Sequence, residues 1–154
     1  MTRLVSVGIV LGLAGFVAWA AAPAAQDVVG VKAADVKWMD AKGHPKGVKS
    51  AVIHGDPAKG AFVAMLKVPA GTLYPPHLHS ADEVAFVQSG SATIGVGEKV
   101  DESKGMTVDA GGYFQFKGKT AHWAKFTTDT VVIRYSSGAG DITYCNAADD
   151  PSKK

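Results

Sequence analysis

Three side chains with metal-binding chemistry fall within seven residues: His77, His79 and Glu83. In an extended strand alternate side chains share a face, so His77 and His79 project together. Glu83 comes within their reach once the chain turns back. Two imidazoles and a carboxylate facing one point make a mixed nitrogen and oxygen donor set for a divalent transition ion that still needs a fourth ligand. An H-x-H pair alone would equally suit a solvated strand face, so the surrounding pattern has to decide.

That pattern runs Gly71-Thr-Leu-Tyr-Pro-Pro-His77-Leu-His79-Ser-Ala-Asp-Glu83-Val-Ala-Phe-Val-Gln-Ser-Gly90. It resembles the first motif of the cupin superfamily, G-x5-H-x-H-x3,4-E-x6-G, at every fixed position. The second cupin motif, G-x5-P-x-G-x2-H-x3-N, aligns from Gly111 to Phe126, where only Gly111 and His122 are kept. Lys117 stands in place of the proline, Lys119 in place of the second glycine and Phe126 in place of the asparagine. The resemblance implies a β-barrel jelly roll, a single cupin domain, and His122 as the fourth ligand beside His77, His79 and Glu83. It also implies one divalent transition metal per chain, with Fe, Mn, Cu, Ni and Zn all open. His44 and His54 sit in glycine- and proline-rich turns and are expected to take no part in the metal site.

The elements that must position these residues read as all-β. Short apolar runs alternate with Gly, Pro, Asp and Ser, giving expected strands at 36–39, 48–53, 61–68, 83–88, 92–96, 106–108, 113–116, 121–126, 131–136 and 141–145. No window has a convincing amphipathic helix. If Glu83 points inward, Ala85 and Val87 follow it, and if His122 does, Thr120, Ala124 and Phe126 follow. The interior around the metal is therefore expected to be small and apolar. The 61–68 strand is apolar on both faces, Phe62, Ala64 and Leu66 inside and Ala61, Val63 and Met65 outside. A strand of that kind wants cover on both sides, which predicts a homodimer through the outer face.

The first 24 residues have the layout of a secretory signal peptide: Arg3, an apolar run from Leu4 to Ala20, then small residues around Ala22 and Ala24. A short membrane anchor is the rival reading. With a signal peptide, residues 25–154 form the mature domain, secreted or periplasmic and without stable membrane association, with a polar tail from about residue 148 expected to lack order. That length holds one core and not two. The whole chain carries 16 basic and 14 acidic side chains. Such a balance suggests no nucleic-acid or anionic-membrane partner, and the small-molecule partner expected here is what the cupin resemblance implies. Cys145 has no partner for an internal disulfide and is expected to be buried.

Two functions fit these features. The first is a metal-dependent, oxygenase-like enzyme for a small organic substrate, with Tyr74, Asp82, Tyr113, Lys117 and Arg134 as the nearby groups that could handle protons or charge. The second is a non-catalytic cupin holding a metal or a small ligand among Phe62, Phe114, Phe116, Trp123 and Phe126. Lys117 and Lys119 suit either an anionic substrate at the cavity mouth or solvated loop charges. A purely structural metal ranks last, since no cysteine lies near the motif.

Overall fold

The computed structural model describes residues 30–153, so the leader expected at residues 1–24 lies outside the described residues. Eleven strands form: β1 (Met39–Asp40), β2 (Lys49–Gly55), β3 (Phe62–Val68), β4 (Leu73–Leu78), β5 (Glu83–Ser89), β6 (Ser91–Val96), β7 (Met106–Asp109), β8 (Tyr113–Phe116), β9 (His122–Phe126), β10 (Thr130–Ser136) and β11 (Thr143–Tyr144). One sheet has the order β1-β2-β3-β10-β5-β8 and the other β11-β4-β9-β6-β7. Every pairing is antiparallel. This is the all-β jelly roll expected from the sequence, and its only helical pieces among the described residues are four single 3-10 turns.

The core forms where the inner faces of the two sheets meet. Leu66, Val68, Ala85, Val87, Val132, Phe114 and Phe116 come from the first sheet, and Tyr74, Ala92, Ile94, Ala124 and Phe126 from the second. On β5 the alternation places Glu83, Ala85 and Val87 inward, as the period-2 pattern requires. On β3 Phe62, Ala64 and Leu66 are buried while Val63 and Met65 are half-covered on the outer face. That outer face continues across the sheet through Phe86, Tyr113 and Tyr135, all exposed. It is as apolar as the strand pattern predicts.

Three local features differ from expectation. Strand β4 is absent from the strands read from the sequence because Pro75 and Pro76, which cannot donate ladder hydrogen bonds, sit in its middle. The pairing of β4 with β9 absorbs them with a register shift between Tyr74 and His77. The strand expected at 36–39 reduces to two residues, and Trp38 instead packs under the Lys67 ammonium, 4.2 Å from the ring centre. Cys145 is exposed rather than buried. Tyr144 on β11 turns its ring inward, so alternation sends the next side chain out. The tail carries turns at Ala147–Asp149 and Pro151–Lys153, and the Asn146 side chain accepts from the Ala148 N–H.

Trp123 follows inward-facing His122 and therefore points to the opposite side of its sheet, where it is 1 % exposed. Gly95 and Gly105 make that burial possible. A Cβ at Gly95 would overlap the indole, and one at Gly105 would lie 2.9 Å from its Cη2. Overpacking a filled site typically costs about 1–3 kcal/mol. Gly95→Ala is therefore expected to lower unfolding free energy by that amount in urea titrations, with an unchanged m-value, and an unaltered midpoint would contradict the packing described.

Candidate metal centre

Strand register creates the centre. His77 on β4 and His122 on β9 are directly paired across the ladder, so their rings lie on one face with centroids 4.3 Å apart. His79 follows the end of β4 and brings its ring to 5.1 Å from His77 and 5.3 Å from His122. Each of the three histidines offers a ring nitrogen, and these nitrogens lie within 4.8 Å of one another. All three residues are buried. Glu83, the first residue of β5 in the facing sheet, approaches from the other side, its Oε2 3.3 Å from His79 Nε2. Phe116 stacks on the His122 ring at 3.9 Å and 13°, which fixes its plane.

Burying an imidazole requires a partner for its N–H, and here the backbone supplies one to every ring. His77 Nδ1–H donates to the Pro75 carbonyl at 2.7 Å, and His122 Nδ1–H to the Thr120 carbonyl at 2.8 Å. His79 Nδ1–H donates to the Asp141 carbonyl. With Nδ1 committed in each case, the three Nε2 atoms are left with free lone pairs facing the interior, the tautomer that ligates a metal. The loops holding His79 are tied down as well. Its own carbonyl accepts from Lys119 N–H at 2.7 Å, and Asp141 accepts from both the N–H and hydroxyl of Ser80. Lys119 adopts φ +65°, a left-handed conformation at the position where the second cupin motif carries glycine. Lysine there keeps the turn at some conformational cost.

The donor set fits a cation. Glu83 Oε2 is buried and has no hydrogen-bond partner among the described residues. It faces the Nε2 lone pair of His79, acceptor toward acceptor, while its one cationic neighbour, Arg134 Nη1, stands off at 3.4 Å without a hydrogen bond. A divalent ion at that point would satisfy Glu83, His79 and the other two imidazoles together. His77 is pushed down to about 2, first by burial and then by its neighbour His122, while His122 is lowered mainly by burial. Both are therefore already in the neutral form that binds metal at neutral pH.

The other residues singled out in the sequence separate into two groups. Asp82 and Lys117 pair with each other at 2.8 Å on the surface, and Tyr113 is exposed on the outer face; none reaches the centre. Lys119 is exposed, so both lysines are loop charges. Tyr74 and Arg134, by contrast, are buried and line the cavity over the histidines, with Phe114, Phe116 and Phe126. Tyr74 reaches it because the bulge after it adds one residue, putting Tyr74 and His77 on the same face although they are three apart. Trp123 faces away, and Phe62 lines a neighbouring cavity instead.

His44, expected to be an uninvolved turn residue, lines the centre too. Its Nδ1 and the Tyr74 hydroxyl share a 3.0 Å hydrogen bond. The turn that carries it is held by Tyr144, whose hydroxyl donates to the Gly43 carbonyl at 3.0 Å. Burial, then the Arg134 charge, push His44 down to about 4, and burial pushes the Tyr74 hydroxyl above its ordinary range. Nothing in the local sequence around His44 marks it, because the contact spans thirty positions. His54 is exposed at the end of β2 and away from the centre.

Residues 26–140 match the sequence pattern of the ChrR cupin-like domain. No curated protein matches the chain. Among solved structures, KdgF from Halomonas sp. superposes with a TM-score of 0.58 at 20 % identity, over 73 % of this chain and 97 % of that one. A candidate acetylacetone dioxygenase from Methylibium petroleiphilum PM1 gives 0.59 at 22 % identity, over 80 % and 85 %. The DMSP lyase DddQ from Ruegeria pomeroyi DSS-3 gives 0.58 at 16 % identity, over 73 % and 62 %. At these identities the likeness is one of fold.

The lowered histidines set a pH dependence for the metal-free protein. Each of His44, His77 and His122 has a folded-state value below the ordinary 6.5, so the unfolded chain takes up more protons as pH falls. Their contribution is fully present above about pH 6.5 and is lost progressively toward pH 4. Thermal melts across that window should show a steadily falling Tm, with a shallower fall in His44→Gln. A flat profile would contradict the burial of neutral imidazoles.

Proposed function

The chain belongs to the ChrR cupin-like domain family of the cupin superfamily, and from that premise we propose that it binds one divalent transition metal through Nε2 of His77, His79 and His122 with Glu83 as the fourth ligand. The ion serves an oxygenase-like reaction on a small organic molecule. The observation that carries this reading is the buried, unpartnered Glu83 Oε2 facing His79 Nε2, with all three Nδ1 atoms committed to backbone carbonyls. Fe, Mn, Cu, Ni and Zn all suit three imidazoles and a carboxylate. When bound, such an ion supplies Lewis acidity toward a substrate oxygen or a site for dioxygen.

The chain's own residues contribute the rest. Tyr74 and His44 form a hydrogen-bonded pair on the cavity wall, and because burial lowers His44 and raises the Tyr74 hydroxyl, both stay neutral and the pair positions a polar edge toward the bound molecule. Phe114, Phe116, Phe126 and Ala124 exclude water around them. The similarity of fold to a candidate dioxygenase and to a lyase, both acting on small molecules by their names, supports a small substrate and leaves the reaction type open. The cavity directly over the histidines holds only about 40 Å³. That size favours a second reading, a non-catalytic cupin that holds a metal with water or one small ligand.

Metal content of tag-free protein by inductively coupled plasma mass spectrometry should be about one ion per chain. His79→Ala, His122→Ala and Glu83→Ala should each weaken binding by more than the roughly 10- to 100-fold that loss of an outer partner costs, with the β-sheet circular dichroism spectrum intact. Full metal content in folded His79→Ala would sink the assignment. Oxygen consumption by iron-, manganese- or copper-loaded protein with small acids and phenols supports the enzymatic reading. A zinc-filled or inert site supports the holding one.

A further inference from the structure

Arg134 is the most anomalous charge in the described structure. It lies in the middle of β10, 6 % exposed, with Ala64 of β3 and Ala85 of β5 as its cross-strand partners. Two alanines leave space above the sheet, and the long side chain lies in it, its guanidinium 5.2 Å from the centre of the Phe62 ring. Its side chain makes no hydrogen bond among the described residues. Its Nε is buried and unpartnered, and its one charged contact is Nη1 to Glu83 Oε2 at 3.4 Å, too long for a hydrogen bond. A guanidinium retained only to neutralise Glu83 would form the short, paired bonds of an arginine–carboxylate fork. This one spends none of its five donors that way.

Its position explains what the donors face. Arg134 lines both the cavity over the histidines and a second cavity of about 190 Å³, and His44, Leu66 and Ile142 are also common to the two. The second cavity adds Lys42, Ser50, Phe62 and Asp141. Ser80 holds the Asp141 carboxylate in place without cancelling its charge, so the ionic side chains lining this cavity are two cations, Lys42 and Arg134, against one anion. A divalent ion on the histidines and Glu83 would raise the positive charge further. A planar anion of two oxygens is what a stacked, unpartnered guanidinium recognises.

We propose that Arg134 is the carboxylate-binding residue of the site, and that the molecule accepted is a small organic acid. Its carboxylate engages the guanidinium where the two cavities meet, and its short apolar body lies among Leu66, Phe114 and Val132 toward the histidines. The orientation toward a metal rests on the function proposed above; the Arg134 contact does not. Lys42, exposed at the outer cavity, adds attraction on entry without fixing the bound pose.

Isothermal titration calorimetry on the full chain, zinc-loaded and metal-free, tests this with butyrate and malonate. Butyramide, malonamide and inorganic phosphate serve as counterparts. Loss of a charge-assisted pair costs about tenfold or more, so at least one acid should bind that much tighter than its amide and than phosphate. Arg134→Gln and Arg134→Lys should each lose about tenfold of that affinity while zinc stoichiometry stays the same. In the unsubstituted protein the Arg134 side-chain N–H resonance should shift on adding the acid, a readout that needs no variant. Equal affinity for acid and amide, preference for phosphate, an unmoved Arg134 resonance, or full acid binding by Arg134→Gln would each overturn the proposal. Acid binding through Arg134 without zinc binding would remove the metal reading alone, and zinc binding without acid preference would remove this one alone.

Discussion

Everything at the centre depends on how the three imidazoles dispose of one proton each. A buried ring with an unsatisfied N–H would cost about 1–3 kcal/mol, and three such rings would threaten a domain of this size. The chain avoids that by giving every Nδ1–H a main-chain carbonyl, from Pro75, Thr120 and Asp141. Two of these carbonyls lie two residues before the histidine they serve, one in the β4 bulge and one just ahead of β9, so the local chain supplies them. The third crosses from the 141 segment and couples the position of His79 to the C-terminal part of the sheet. The same bonds that make burial tolerable also aim the three Nε2 atoms at one place. Stability and ligand orientation are thus one interaction here.

Around that arrangement the barrel sorts polar from apolar by sheet. The five-stranded sheet delivers His77 and His122 as a cross-strand pair, and the six-stranded sheet delivers Glu83 and Arg134 from the opposite side. Apolar residues fill the rest of the interior, so the few charges present interact in a medium far less polar than water. Glu83 lies between His79 and Arg134 and satisfies neither fully. A carboxylate and a guanidinium left short of partners are what the proposed cation and the proposed organic acid would each complete.

Much of this was legible in the sequence because it is written in short-range spacing. The H-x-H pair, Glu83 four residues later and the alternation of β5 all follow from a period of two. What escaped is encoded at long range or in the chain's irregularities. Tyr74 turns inward only because two prolines force a bulge, which simple alternation cannot anticipate. His44 joins the cavity wall through a contact with Tyr74 that no local pattern announces. Arg134 is legible in the sequence as one of several nearby charged groups, but its place inside the cavity shows only once the alanines beside it on two neighbouring strands are known. Lys119 looked like a departure from the motif, yet its left-handed backbone keeps the geometry that glycine would provide. Cys145 was misplaced because an apolar segment says nothing about which side of a two-residue strand faces out.

The central claim, that backbone carbonyls set the three imidazoles so that Nε2 is free to ligate, can be read directly from the histidine tautomers. A long-range proton–nitrogen correlation spectrum of the metal-free protein at neutral pH reports which ring nitrogen carries the proton. Protonated Nδ1 and bare Nε2 in all of His77, His79 and His122 is the predicted result. A proton on Nε2, or a mixture of tautomers, in any of the three would contradict the account.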